Sequence, residues 1–188
     1  MMDAINLMVE EHKNIKLMLK IVRKVSFNIM NGGQVNFDEF DKIIDFIRNY
    51  ADKHHHKKEE DYLFNKMVEE IGPTAEKVVN QGMLVEHDWG RLFIRRLDEA
   101  LKDLKEGKEE AKLDIVANAV GYTNLLKDHI HKEDNVIYNF ARRQLKAETL
   151  EKINEECESF EKETIEEAKK YLDILTDLAK KYEIEMEE

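Results

Sequence analysis

Apolar side chains recur every three or four positions through most of this chain, the spacing of amphipathic helices. One stripe runs Ile5, Met8, Ile15, Leu19, and a second runs Phe40, Ile44, Ile47, Ala51, Leu63. A third holds Met83 or Leu84, then Ile94 and Leu101; a fourth holds Ile115, Tyr122, Leu125, Val136 and Phe140. A fifth follows: Leu150, Ile153, Cys157, Phe160, then Ala168, Tyr171, Leu175, Leu178, Tyr182. Breaks fall at Asn31-Gly32-Gly33, at Gly72-Pro73 and around Gly107, with a weaker one near Lys146-Ala147. Glycine ends helices, and proline suits a first helical position. Asn36 followed by Glu39 reads as a capping box. The pattern predicts five helices, over 3–30, 37–71, 74–106, 109–144 and 148–182. Four long helices on short connections run up-down-up-down. The expected fold is therefore all-α, a four-helix bundle over 1–145 with an additional C-terminal helix over 146–188.

Composition agrees with this and narrows the partners. One proline, seven glycines and 38 % charged residues in 188 favour long helices and give little support for a sheet. The net charge of −11 argues against nucleic acid, whose phosphates need clustered Lys and Arg, and against anionic membranes. Residues 148–188 hold 15 acidic and six basic side chains, so most of that charge lies in the last helix. Its apolar stripe is expected to pack on the bundle or to form a seam with a second subunit in a homodimer. Cys157 is the only cysteine, which leaves no disulfide within the chain and no cysteine zinc site. The start, Met1-Met2-Asp3-Ala4-Ile5-Asn6-Leu7, lacks the basic-then-apolar order of a signal peptide, and no apolar run is long enough to span a bilayer. The expectation is a soluble cytoplasmic protein.

The stripes carry ionisable residues where apolar ones belong. His12, His55, Glu59, His87, His129 and Glu133 each continue the inward phase of their helix. Their context repeats. His55-x-x-Lys58-Glu59-Glu60 with Leu63-Phe64 matches His129-x-x-Lys132-Glu133-Asp134 with Ile137-Tyr138. A Glu-His pair precedes each copy, Glu11-His12 and Glu86-His87, with histidine gaps of 43 and 42 residues. At 1.5 Å rise per residue, about 27–30 Å separates each histidine from its connecting loop, so all four sit at nearly one level. Six such groups in a core would cost several kcal/mol each if unpaired, and a bound cation removes that cost. Imidazole with carboxylate suits iron, manganese or zinc. Two half-sites, each with two His and one Glu, predict two metals bridged by Glu59 and Glu133, with room for an oxo or hydroxo bridge. His54 and His56 lie about 100° from His55 on a regular helix, and His56 beside Asp52 and Glu60 is assigned to a solvated face. His131, among Lys127, Asp128 and Asn135, is read as exposed. Tyr122, two turns before His129, is read as core packing, with a phenol near the metals as the functional alternative. Glu11 and Glu86 are assigned to a helix boundary or the surface, with a proton path as the functional alternative. Gly90, beside Trp89, would leave space next to the metals.

These residues resemble the hemerythrin-like, HHE cation-binding family over about 3–143. The resemblance rests on Glu11-His12, His55 to Glu59 with Leu63-Phe64, Glu86-His87, and His129 to Glu133 with Ile137-Tyr138. It implies two iron ions, without haem or flavin, that bind dioxygen, or in some members react with nitric oxide or peroxide. The oxygen-carrying members place a second histidine one turn after the third-helix ligand; here that position is Arg91. One iron is then expected to have a more open shell, which favours reaction with oxygen over reversible binding. The implied role is a carrier, scavenger or sensor of O2 or NO. One alternative is a redox enzyme fed by a partner electron donor; the other is a regulator signalling through the acidic last helix.

Overall fold

The computed structural model describes residues 2–185. Helix α1 is Ala4–Met30; α2 covers 37–71, α3 73–105, α4 111–144, and α5 is Ala147–Lys181. No strand occurs among the described residues, and each helix end lies within two residues of its predicted place. Asp3 caps α1 by accepting from Asn6 N–H, and Asn36 caps α2 by accepting from Glu39 N–H. The Asn36–Glu39 box is only half formed. The Glu39 carboxylate accepts from Lys181 and Tyr182 instead, and so ties the end of α5 to the start of α2. Gly72, at φ 77°, turns the chain between α2 and α3, and Pro73 starts α3.

The helices are not uniformly α. Wider π turns occupy Ile47–His56 and Glu59–Phe64 in α2, Val79–Met83 in α3 and Glu133–Ile137 in α4. Their i→i+5 bonding rotates each residue through a smaller angle than an α turn does, and such segments concentrate at functional sites. The effect on register is plain after Glu133. Val136 and Phe140 were the expected core positions, but Val136 is 57 % exposed and Ile137, Tyr138 and Ala141 are buried. Upstream, the stripe steps from Tyr122 by four to Leu126, then by three to His129, with Leu125 at its flank.

Apolar burial falls into two clusters. One contains Ile15, Met18, Phe40, Ile47, Ala51, Ile94, Leu126 and Ile130; the other contains Ile5, Met8, Leu63, Phe64, Met83, Ile137 and Tyr138. The six ionisable core residues lie between them on α1 to α4. Helix α5 joins both clusters, through Ile153 and Cys157 in one and Tyr171, Leu175, Leu178 and Ala179 in the other. Burying each such Tyr or Leu contributes about 1.5–3 kcal/mol, which fastens α5 along α1 and α2. No described helix is long and apolar enough to cross a membrane.

Candidate metal centre

His12, His55, Glu59, His87, His129 and Glu133 form a single buried layer, none more than 1 % exposed. The two carboxylates stand between the imidazoles. Glu133 Oε1 lies 3.0 Å from His129 Nε2 and 3.8 Å from His87 Nε2, while Glu133 Oε2 lies 3.4 Å from His12 Nε2. Glu59 Oε2 lies 3.6 Å from both His55 Nε2 and His87 Nε2. His87 and His129 point their Nε2 atoms at each other across 3.0 Å. Two donor groups result, each with its donor atoms within 4.8 Å of one another: His12, His55, Glu59 and Glu133 in one, His56, Glu59, His87 and His129 in the other.

The outward-facing Nδ1 atoms explain the rest of the repeated motif. Glu11 Oε2 accepts from His55 Nδ1–H at 2.8 Å, and Glu86 Oε2 accepts from His129 Nδ1–H at 2.8 Å. Asp134 accepts from His12 Nδ1–H, and Glu60 from His87 Nδ1–H, both at 2.6 Å. The motif lysines hold the first pair of acids, Lys58 binding Glu11 and Lys132 binding Glu86. Lys16 holds Asp134 and Arg91 holds Glu60, both at 2.7 Å. Each carboxylate fixes the tautomer of an imidazole and leaves Nε2 free to face inward, the usual outer support of histidine metal ligands. Glu11 is therefore buried at the centre's edge, and Glu86 is half-buried beside it; neither sits at a helix boundary. Arg91 occupies the place equivalent to Lys16.

The assignment of His56 to a solvated face is corrected. His54 and His56 are buried, because the π turn over Ile47–His56 brings three consecutive histidines inward. His56 reaches the second donor group. His54 faces Glu11, Lys58 and, on α5, Glu161 and Thr164. Glu11, His54 and Glu161 could themselves surround a cation, but the Lys58 ammonium already binds both carboxylates there. His131 is exposed, as is Trp89. The phenol beside the centre is Tyr138. Its hydroxyl donates to Glu59 Oε1 at 2.6 Å and its ring stacks on His12. In the sequence Tyr138 stands only as the aromatic of the repeated motif; its hydroxyl, absent from the equivalent Phe64, is the available signal. Tyr122 packs in the core and lines a cavity of about 240 Å³ with His56, His87, Gly90 and Arg91. A Cβ on Gly90 would make ordinary contacts with Leu126 at 3.4 Å and Tyr122 at 3.6 Å, so the packing of α3 on α4 does not itself demand glycine there.

The charges of the layer are in conflict. Burial and the neighbouring Glu133 charge push Glu59 well above the usual carboxylate range. Burial also acts on Glu133, but the His129 charge and the neighbouring His12 and His87 imidazoles hold it low. His55 is drawn down to about 4 by burial and by His12. Glu11 stays far below its ordinary value despite burial, because His54, His55 and Lys58 face it. His55 Nε2, Glu59 Oε2 and both Glu133 oxygens are buried without a hydrogen-bond partner. Orphaned polar atoms of this kind are rare in a folded protein. These four are all lone-pair donors converging on one layer, which is what cations require; the donor set fits iron, manganese or zinc.

The sequence model of the Hemerythrin HHE cation binding domain matches residues 3–141, most of the chain, and the chain belongs to that family of metal-binding helical proteins. No curated protein and no solved structure matches it.

Proposed function

We propose that this member of the hemerythrin HHE family is a non-haem di-iron protein that binds or reacts with a small diatomic ligand, dioxygen or nitric oxide, as scavenger, sensor or carrier. The observation that carries the reading is the pair of donor groups sharing Glu59, with four buried lone-pair atoms left without partners. His12 and His55 would hold one iron and His87 and His129 the other, with Glu59 and Glu133 spanning both. Bound ferrous iron would supply an electron-donating site for the gas. The protein's part is to hold six donors in place through four carboxylates and to exclude bulk water with two apolar clusters.

A second reading has its own observation. Glu161, Thr164 and Phe160 of α5 touch Lys58 and His54, one contact removed from His55. A change at the metals could thus reach the acidic last helix, the arrangement a regulator needs. A catalytic cycle would need a partner electron donor. Anaerobic loading with ferrous iron, with metal counting and optical spectra after separate addition of oxygen, nitric oxide and peroxide, tests these readings. Two irons per chain and a spectral response to oxygen or nitric oxide are expected. One iron or none would overturn the di-iron assignment, and a long-lived, reversible oxygen spectrum would favour the carrier role over the scavenger.

A further inference from the structure

We propose that His56 is a seventh metal ligand, the third imidazole of the His87–His129 half of the centre. This rests on the di-iron reading above and assigns a residue outside the repeated motif.

Four observations carry it. First, a ring nitrogen of His56 lies in one mutual group with donor atoms of Glu59, His87 and His129. Its ring stacks on His87 with centroids 3.8 Å apart. Second, His56 has the same outer support as the four motif histidines. Its Nδ1–H is directed to a carboxylate, Asp52 at 3.3 Å, and its Nε2 is left for the interior. The other two histidines lack this arrangement: His54 spends Nε2 on Glu11, and His131 Nδ1 meets the Asn135 amide. Third, Asp52 is itself fixed. Arg91 binds it through Nε at 2.9 Å and Nη2 at 2.7 Å, and the same Nη2 holds Glu60, the partner of His87. Arg91 thus positions two imidazoles at once; it is a positioning residue, in a place where the sequence suggested a lost ligand. Fourth, the pair breaks the internal symmetry. The counterparts of Asp52 and His56 in the second repeat are Leu126 and Ile130, both apolar and buried in the core. A buried imidazole with a dedicated carboxylate and guanidinium, where the matching half has plain hydrocarbon, is an expensive substitution unless its nitrogen has a task.

The consequence is an uneven centre: three imidazoles on one side, His56, His87 and His129, and two on the other, His12 and His55. The more open position then lies on the His12–His55 side, away from Arg91.

Cobalt(II)-loaded wild-type protein gives a test that needs no mutation. Each ligating imidazole keeps one Nδ1–H, shifted far from the diamagnetic range by the metal and exchangeable in D2O. Five such proton signals are expected, and four would overturn the proposal. A parallel arm uses His56→Ala loaded with ferrous iron, with His54→Ala as the control of similar burial. His56→Ala should lose one iron of two to a chelator at least ~10-fold faster than wild type, the lower end of what loss of a mere outer partner costs. Imidazole added to His56→Ala, entering by the adjoining cavity, should restore the wild-type Mössbauer doublets. Two irons with unchanged doublets and chelation rate in His56→Ala would overturn the proposal while leaving the di-iron reading intact. Wild type that binds fewer than two metals would overturn that reading itself.

Discussion

Glu86 Oε2 and His129 Nδ1 lie 2.8 Å apart, and the lysine one turn of the motif further on, Lys132, closes on the same carboxylate. Glu11, His55 and Lys58 repeat the arrangement in the first half. The two copies differ in burial. Lys58 is fully enclosed, whereas the Lys132 side chain is 41 % exposed. Glu86→Ala and Glu11→Ala should each weaken metal binding by about 10–100-fold. Only Glu11→Ala should also destabilise the metal-free fold strongly, by ~3–5 kcal/mol, since it removes a partner of a buried ammonium. Denaturant unfolding of both metal-free variants checks this; equal losses would contradict it.

Tyr138 and Tyr122 should behave differently when their hydroxyls are removed. Tyr138→Phe leaves Glu59 Oε1 buried without its donor, at a cost of roughly 1–3 kcal/mol, and should disturb the centre's optical spectrum. The Tyr122 hydroxyl makes no hydrogen bond among the described residues, and Tyr122→Phe should leave both stability and spectrum nearly unchanged. Thermal melts and spectra of the loaded variants decide between them.

Metal uptake should release protons. Burial lowers the affinity of His129 for a proton, but Glu133 and Glu86 outweigh it and push the imidazole up to about 9. Glu59 is raised as well, by burial and by Glu133. His129 therefore carries its extra proton at neutral pH without metal, Glu59 is shifted in the same direction, and a donor atom must give up its proton before it offers a lone pair. Apparent affinity should rise with pH until it levels near 9, and fall as the solution is acidified. Zinc titrated into weakly buffered protein at neutral pH should release about one proton or more per filled chain. Affinity that does not change with pH would contradict the assignment.

Cys157 reports on the docking of α5. Burial pushes its thiol up to about 12, so little thiolate exists in mildly alkaline solution. Alkylation of the folded protein should be at least ~10-fold slower than that of the unfolded chain. Glu161→Ala, which takes one carboxylate from Lys58 and one anchor from α5, should speed it. Mass spectrometry of timed alkylation provides the measurement.

Much of this molecule could be read in its sequence, and the part that could not has one physical cause. Helix ends were legible because Gly32, Gly72, Pro73 and Gly107 punctuate strongly periodic segments. The six motif residues were legible because the sequence states them twice. His56, Ile137, Tyr138 and Ala141 were misplaced because phase was counted at the α-helical angle, and nothing in residue composition announces a π turn. The outer carboxylates Glu11, Glu60, Glu86 and Asp134 were visible as part of the repeat, yet their partners lie on other helices, which spacing along one helix does not reveal.

The four carboxylate–imidazole contacts also carry a record of assembly. Glu11 with His55 and Glu86 with His129 each lie within one helical hairpin, whereas Asp134 with His12 and Glu60 with His87 each cross from one hairpin to the other. Every hairpin thus aims one of its own histidines and one of its neighbour's. This is the reciprocity of an isologous dimer, in which a patch contacts its own copy, held here in a single polypeptide. The connecting turn at Gly72 and Pro73 then does no more than raise the local concentration of the halves. A chain severed there and co-expressed as two pieces should reassemble and bind metal, while either piece alone should not.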